Sequence, residues 1–322
     1  MTPHYTGIIP PMITPLTDRD TLDLDGLEKV IERMIAGGIT GIFALGTTGE
    51  APSLSYRLRR ELVDRTCKIV NGRIPVLAGI TDTSLVESAN FAKDAAELGA
   101  SAVVTSAPFY FPAGQPELRE YLEQLLPELP VPLMLYNMPA LTKISFQKDV
   151  VNWALDQEKI VGLKDSSGDF TYLKRMMRLA APKRPDWSFL VGPEELLAET
   201  VLMGGHGGVN GGAILHPRLY VDLYEAAMAK NLEEVRRLSD QVLALSGDFY
   251  SVGQHGSAII KGIKCALSLL GVCDDFMAAP FHRFHESERT LTGRGCAAGL
   301  PRCRLVRRRR RRRRNCPPTA LA

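Results

Sequence analysis

The sequence lacks the marks of several large classes of protein. No apolar run reaches the roughly 18 residues of a membrane span, so no membrane partner is expected. The opening "MTPHYTGIIPPMITP" has no basic region followed by an apolar one, so no secretory signal is visible and a cytoplasmic, reducing compartment is expected. Cysteine is sparse, six in 322 residues, with no CxxC pair. Cys67, Cys265 and Cys273 are scattered, and Cys296, Cys303 and Cys316 fall near the C-terminus. Neither a zinc knuckle nor a dense disulfide scaffold is indicated. Excess charge is also missing from most of the chain. The formal charge is +3, yet Arg307 to Arg314 is an unbroken run of eight arginines, and without those eight charges it becomes −5. A mildly acidic body argues against a broad nucleic-acid surface, and no specific nucleic-acid partner is expected.

What is present is globular in composition, 45% apolar and 23% charged, well above the apolar content of disordered chains. Short β-rich runs alternate with amphipathic stretches of helix length. "GIIPP" opens the series. In Leu24 to Ala36, the residues Leu27, Val30, Ile31, Met34 and Ile35 share one helical face, and Gly37 and Gly38 stop the helix. "GIFALG", "IPVLAGI", "SAVVTSAP", "VPLMLYN", "KIVGLKD", "SFLVG" and "GGHGGVNGG" then read as strands. Eight strand–helix units over residues 1–230, with continuously apolar strands, predict a closed (β/α)8 TIM barrel of the α/β class. A doubly wound sheet is the alternative, but no GxGxxG follows the first strand. Residues 231–285 read as a C-terminal helical extension. Residues 286–322 show little apolar periodicity and charges of one sign, and are expected to be a disordered basic tail, either neutral or anion-binding.

In such a barrel the chemistry gathers where the strands end. "GTTGE" supplies Gly46, Thr47 and Thr48, two hydroxyls in a glycine-rich turn that suits a small carboxylate, or an ordinary turn. "YN" ends strand five with Tyr136, either a core residue or a proton carrier. "IVGLK" ends strand six with Lys164. A lysine after four apolar strand residues is desolvated, which lowers its pKa, and a neutral amine can attack a keto carbon to form a Schiff base. A phenol one strand away can move the protons that carbinolamine formation and dehydration need. The five glycines around His206 and Asn210 leave room for a substrate tail near the backbone. His206 itself reads as structural, and with no second histidine at ligand spacing no metal is expected.

"GTTGE", "YNMPA" and "GLKDSSGD", in this order and spacing, resemble the pyruvate-dependent class I aldolases. That family includes dihydrodipicolinate synthase, N-acetylneuraminate lyase and the 2-keto-3-deoxy-sugar-acid aldolases. The resemblance spans about residues 5 to 285. It implies a (β/α)8 barrel with a C-terminal helical extension, assembled as a tetramer from two dimers, with no cofactor beyond the imine itself. It implies that Lys164 forms the Schiff base, that Tyr136 relays protons, and that Thr47 and Thr48, with Gly46, bind the pyruvyl carboxylate and help complete the relay. Tyr110, in "SAPFYFP", matches a tyrosine that the synthases insert across the dimer interface.

Where dihydrodipicolinate synthases keep an arginine for the carboxylate of aspartate semialdehyde, this chain has Leu141. "GPEE" supplies Gly192, Glu194 and Glu195 in place of a Gly-x-Asp-Glu motif that binds sugar-acid hydroxyls. A serine of the glycine-rich motif is matched by Gly211. Ser166 and Ser167 offer hydroxyls beside the lysine, and Val209 lies in the last strand segment as a further substrate-side position. These features predict a chain nearer the neuraminate lyase and keto-deoxy-sugar-acid aldolase branches. The expected partners are pyruvate and a neutral hydroxyaldehyde, joined or split as a 2-keto-3-deoxy sugar acid. The alternatives are dihydrodipicolinate synthase or N-acetylneuraminate lyase proper, a dehydratase on the same imine scaffold, and a non-enzymatic keto-acid-binding protein.

Overall fold

A computed structural model describes residues 5–299. The eight-arginine run, Cys303 and Cys316 lie outside the described residues. Strands Gly7–Ile8 (β1), Ile42–Ala44 (β4), Val76–Gly79 (β5), Ala102–Ser106 (β6), Leu133–Asn137 (β7), Ile160–Asp165 (β8), Ser188–Val191 (β9) and Gly207–Gly208 (β10) form one sheet. A small antiparallel hairpin, Leu16–Asp18 (β2) and Thr21–Leu22 (β3), stands apart. The sheet order is β1-β10-β9-β8-β7-β6-β5-β4 with every pair parallel. A parallel bridge between Pro11 and Phe43 joins its two ends, with Met12 N donating to Phe43 O at 2.9 Å and Phe43 N to Pro10 O at 3.0 Å. The sheet thus closes into the expected barrel.

Around it run Leu24–Ala36 (α1), Tyr56–Val70 (α2), Leu85–Glu97 (α3), Gln115–Leu125 (α4), Pro139–Thr142 (α5), Lys148–Ala154 (α6), Phe170–Ala180 (α7), Leu197–Leu202 (α8) and Pro217–Met228 (α9). Their starts follow local chemistry. The Asp23 carboxylate accepts from Gly26 N at 2.9 Å, and Ser55 Oγ from Leu58 N at 3.2 Å, so each cap satisfies a donor that has no partner within its helix. In α1 the buried residues Leu27, Val30, Ile31 and Met34 are the apolar stripe read from the sequence. The strands are buried on both faces. Ile9, Phe43, Leu77, Val104, Met134, Val161, Leu190 and Val209 fill the barrel interior, and a larger layer packs between strands and helices. Gly162 is required in β8 because a Cβ there would meet Ser188 O at 2.2 Å. The strands approach that closely two residues before Lys164.

Leu232–Tyr250 (α10), Ala258–Leu269 (α11) and Glu286–Gly299 (α12) follow the barrel. The last corrects the expectation of a structureless tail from residue 286. Helix α12 lies on α10 and α11 and is held by an ion pair and hydrogen bonds rather than by an apolar stripe, so hydrophobic periodicity gives no sign of it. Arg289 pairs with the buried Asp275, to which Arg283 also pairs, and donates to Ser268 Oγ at 3.1 Å. Thr292 is fully buried. Among the described residues, no helix is long and apolar enough to cross a membrane.

Ending the chain at residue 285 rather than 299 should therefore destabilise the fold. It removes one cationic partner of a buried carboxylate, a loss of about 1–3 kcal/mol. Thermal melts of the two lengths should differ by several degrees, and equal melting temperatures would mean that α12 adds no stability.

Candidate active site

Lys164 is the fifth residue of β8 and Tyr136 the fourth of β7, and they are direct partners in the parallel register. Register alone brings amine and phenol together. Lys164 is 4% exposed, with Nζ 4.0 Å from the centre of the Tyr136 ring and 4.9 Å from that of Phe43. The two rings meet edge to face, 6.2 Å apart at 88°. Burial holds the Lys164 amine below its ordinary value, opposed by Tyr136 and Asp165, which favour the charged form. The outcome is an amine more readily neutral than a surface lysine, and therefore more nucleophilic.

The next register pair, Asn137 and Asp165, joins the same strand ends by side chains. Asn137 Nδ2 donates to Asp165 Oδ1 at 2.8 Å, and Asn137 Oδ1 accepts from Phe146 N at 3.1 Å. Ser167 donates to Asp165 from Oγ at 2.9 Å and from its amide at 3.2 Å. Burial raises the Asp165 carboxyl against these bonds. Neither residue was singled out in the sequence, although both stand inside the motifs "YN" and "GLKD". Phe43 was also missed, since a phenylalanine in an apolar strand carries no sequence mark of a site.

After β4 the chain turns through Gly46 to Glu50. Thr47 Oγ1 lies 3.2 Å from Tyr136 Oη, so three of the predicted residues, Lys164, Tyr136 and Thr47, form one contiguous group. Thr47 and Tyr136, though not Lys164, line a cavity of about 270 Å³ together with Phe43, Gly46, Ser106 and Leu141, among others. Larger hollows of about 590 and 490 Å³ flank α7 on the outer surface, and neither is lined by Lys164, Tyr136 or Thr47.

The other predicted positions fall into separate settings. Thr48 is half-buried in the same turn. Ser166 and Gly192 touch so closely that a Cβ at Gly192 would lie 2.0 Å from Ser166 Oγ. Val209 sits in the barrel-interior cluster with Tyr136. Leu141 is 52% exposed at the rim. Tyr110 is 94% exposed with φ +78° and is not among the residues lining the cavity of its own chain. Glu195 is exposed, whereas Glu194 is buried and accepts from Gly212 N at 2.8 Å. His206 Nδ1 accepts from Phe189 N at 2.9 Å, a structural role. Among the described residues, no group of three His, Cys, Asp or Glu could hold a metal ion.

The model of the dihydrodipicolinate synthetase family matches residues 4–294. The chain belongs to this family. A solved structure described as dihydrodipicolinate synthase from Bacteroides thetaiotaomicron is 53% identical, with a TM-score of 0.89 over 92% of this chain and all of that one. A protein of Escherichia coli K12 named "Probable 2-dehydro-3-deoxy-D-pentonate aldolase YjhH" is 32% identical over 81% of this chain and 87% of its own. The structure of YagE, an E. coli K12 prophage protein of the dihydrodipicolinic acid synthase family in complex with pyruvate, is 26% identical. Its TM-score is 0.86 over 92% of this chain and 98% of that one.

These matches overturn the expected placement nearer the neuraminate lyase and sugar-acid aldolase branches. The relative named as a synthase stands at 53%, against 32% for the aldolase. That placement rested on a few positions, whereas the 53% identity is taken over 92% of this chain. With the family and the buried lysine together, the chain is an enzyme of the Schiff-base aldolase and lyase type.

Glu194 makes the site's surroundings sensitive to pH. Burial pushes its carboxyl up to about 7. The bond from the Gly212 amide and the nearby Tyr250 and Tyr220 hydroxyls lower it, while neighbouring Glu195 raises it. The folded protein then keeps a proton that the unfolded chain releases near 4.5. This contribution is fully present below that value and is lost as pH rises towards about 7. In Glu194→Gln the fall in unfolding free energy between about pH 5 and 7 should shrink by about 2–3 kcal/mol. Denaturant unfolding at the two pH values measures it, and an unchanged slope would assign the titration elsewhere.

Proposed function

We propose that this protein joins pyruvate to an aldehyde, or releases pyruvate from the corresponding 2-keto acid, through an imine on Lys164. The observation that carries this reading is the contiguous group of buried Lys164 and Tyr136 with half-buried Thr47. The Lys164 amine attacks the keto carbon, and loss of water leaves a protonated imine, the electron sink. The methyl carbon loses a proton to solvent water, which gives an enamine. That carbon attacks the aldehyde, and the new alkoxide takes a proton from Tyr136 Oη, with Thr47 next in the relay. Hydrolysis frees the amine. Thr48 and the turn amides hold the pyruvyl carboxylate, Ser166 serves the aldol hydroxyl, and Tyr110 completes the relay of a partner subunit in a dimer of dimers.

For the aldehyde, similarity over 92% of the chain favours the reaction of the relatives named as dihydrodipicolinate synthases, in the condensing direction. Aspartate semialdehyde is then the partner. A specific observation favours a second reading, a neutral hydroxyaldehyde. Leu141 lines the cavity, and among the described residues none that lines it is cationic, so an anionic aldehyde lacks the fork of donors an arginine would supply.

Pyruvate with borohydride should add a reduced pyruvyl group at Lys164, read by intact mass and peptide mapping. Label on another lysine, or none, defeats the imine reading. Tyr136→Phe should lower kcat by about 10²–10⁴ with little change in melting temperature, and a fall of less than about threefold would remove the phenol from the relay.

The aldehyde is decided by kcat/KM for aspartate semialdehyde against glyceraldehyde and N-acetylmannosamine, in the parent and in Leu141→Arg. If the neutral partner is the true one, the arginine should raise the aspartate semialdehyde value about tenfold or more. A parent that already prefers aspartate semialdehyde tenfold establishes the synthase reading.

A further inference from the structure

The turn that carries Gly46, Thr47 and Thr48 is backbone-strained at both ends. Leu45 has φ +60° and Glu50 φ +57°, left-handed positions that cost a residue with a side chain on the order of 1 kcal/mol or more each. Such a conformation persists only when its surroundings hold it. From the barrel side, Thr14 Oγ1 donates to Gly49 O at 2.6 Å. The other hold comes from outside the barrel. The Glu50 carboxylate pairs with Lys264 of α11, and both side chains are completely buried. The same ammonium donates to Phe276 O at 2.7 Å, and Ala278 N donates to the second Glu50 oxygen at 2.8 Å.

A fully buried ion pair is an expensive way to pack two elements, because both charges lose their water. Here it links the helical extension to one short turn. Glu50 N donates to Thr47 O at 3.0 Å, and Thr47 Oγ1 reaches Tyr136 Oη at 3.2 Å. A continuous set of contacts therefore runs from Lys264 through Glu50 and Thr47 to Tyr136, beside Lys164.

We infer that Lys264 and Glu50 are positioning residues: through them the helical extension holds the Gly46–Glu50 turn in the shape that receives the keto-acid carboxylate. The inference rests on the pyruvate-imine reading above. Neither residue touches substrate or the reacting atoms. A merely structural pair would affect how much protein is folded, whereas a positioning pair also changes how well folded protein takes pyruvate.

The double variant Glu50→Gln/Lys264→Met is the test, because it removes both charges together and leaves no lone buried ion. Melting temperature establishes folding. The pyruvate concentration that half-saturates borohydride trapping at Lys164 is the readout, and it should rise about tenfold over the parent. A folded double variant that half-saturates within about twofold of the parent overturns the inference and leaves the imine reading intact. Failure to trap in the parent overturns both.

Should the double variant not fold, amide hydrogen exchange on the unmodified protein decides. Pyruvate should slow exchange at Phe276–Ala278 together with Gly46–Glu50. Protection confined to Gly46–Glu50 overturns the coupling.

Discussion

A lysine amine kept out of water at the end of β8, one strand from a tyrosine ring, is the constraint on which the site depends. The amine is useful only if it is neutral part of the time, and burial provides that by penalising the ammonium. Burial alone would also leave an unpaired donor with nothing to work on. The parallel register answers this by setting Tyr136 directly opposite, and the Asn137–Asp165 bond one step further fastens the same two strand ends. The close strand approach at Gly162 belongs to the same construction, since a side chain there would collide with Ser188 O and push β8 from its place.

The barrel does not build the whole site from its own strands. The turn after β4 is strained at two residues, and it is gripped from within by Thr14 and from outside by Lys264. The helical extension is thus part of the site's support, though none of its residues lines the cavity. Polar contacts do much of this joining. Glu194 receives the amide of Gly212 and lies against Tyr220 of α9 and Tyr250 of α10, and Asp275 receives Arg283 and Arg289. Glu194 is a buried carboxylate at a joint between barrel and extension, and Asp275 is one within the extension; in both, loss of one partner is costly.

Family membership and substrate choice rest on different parts of the molecule. The Lys164–Tyr136 pair is built from strand ends, inside the residues that the family model matches. Leu141 stands half exposed at the cavity rim, where the proposed aldehyde would meet it. A single rim position can change the charge of the accepted partner without disturbing a strand or a helix, so it says little about descent. That is why Leu141 and Glu194 misled the placement among branches while the family itself was read correctly.

The sequence by itself determined the barrel, the lysine, the tyrosine and the threonine turn. Continuous apolar strands alternating with amphipathic helices leave few ways to bury both faces of a parallel sheet, and a lysine ending an apolar strand stands out against that background. Only the tertiary structure decided what depends on distant segments meeting. Phe43 lies beside Lys164 because the barrel closes through Pro11 and Phe43. Glu50 meets Lys264 across more than 200 residues of sequence, and α12 docks by an ion pair and hydrogen bonds that leave no periodic stripe. Glu194, read as a sugar-binding carboxylate, faces Gly212 and two tyrosines instead of open solvent. Periodicity reports which side of an element is buried. It carries no information about which polar group waits on the other side, and that pairing exists only once the chain has folded.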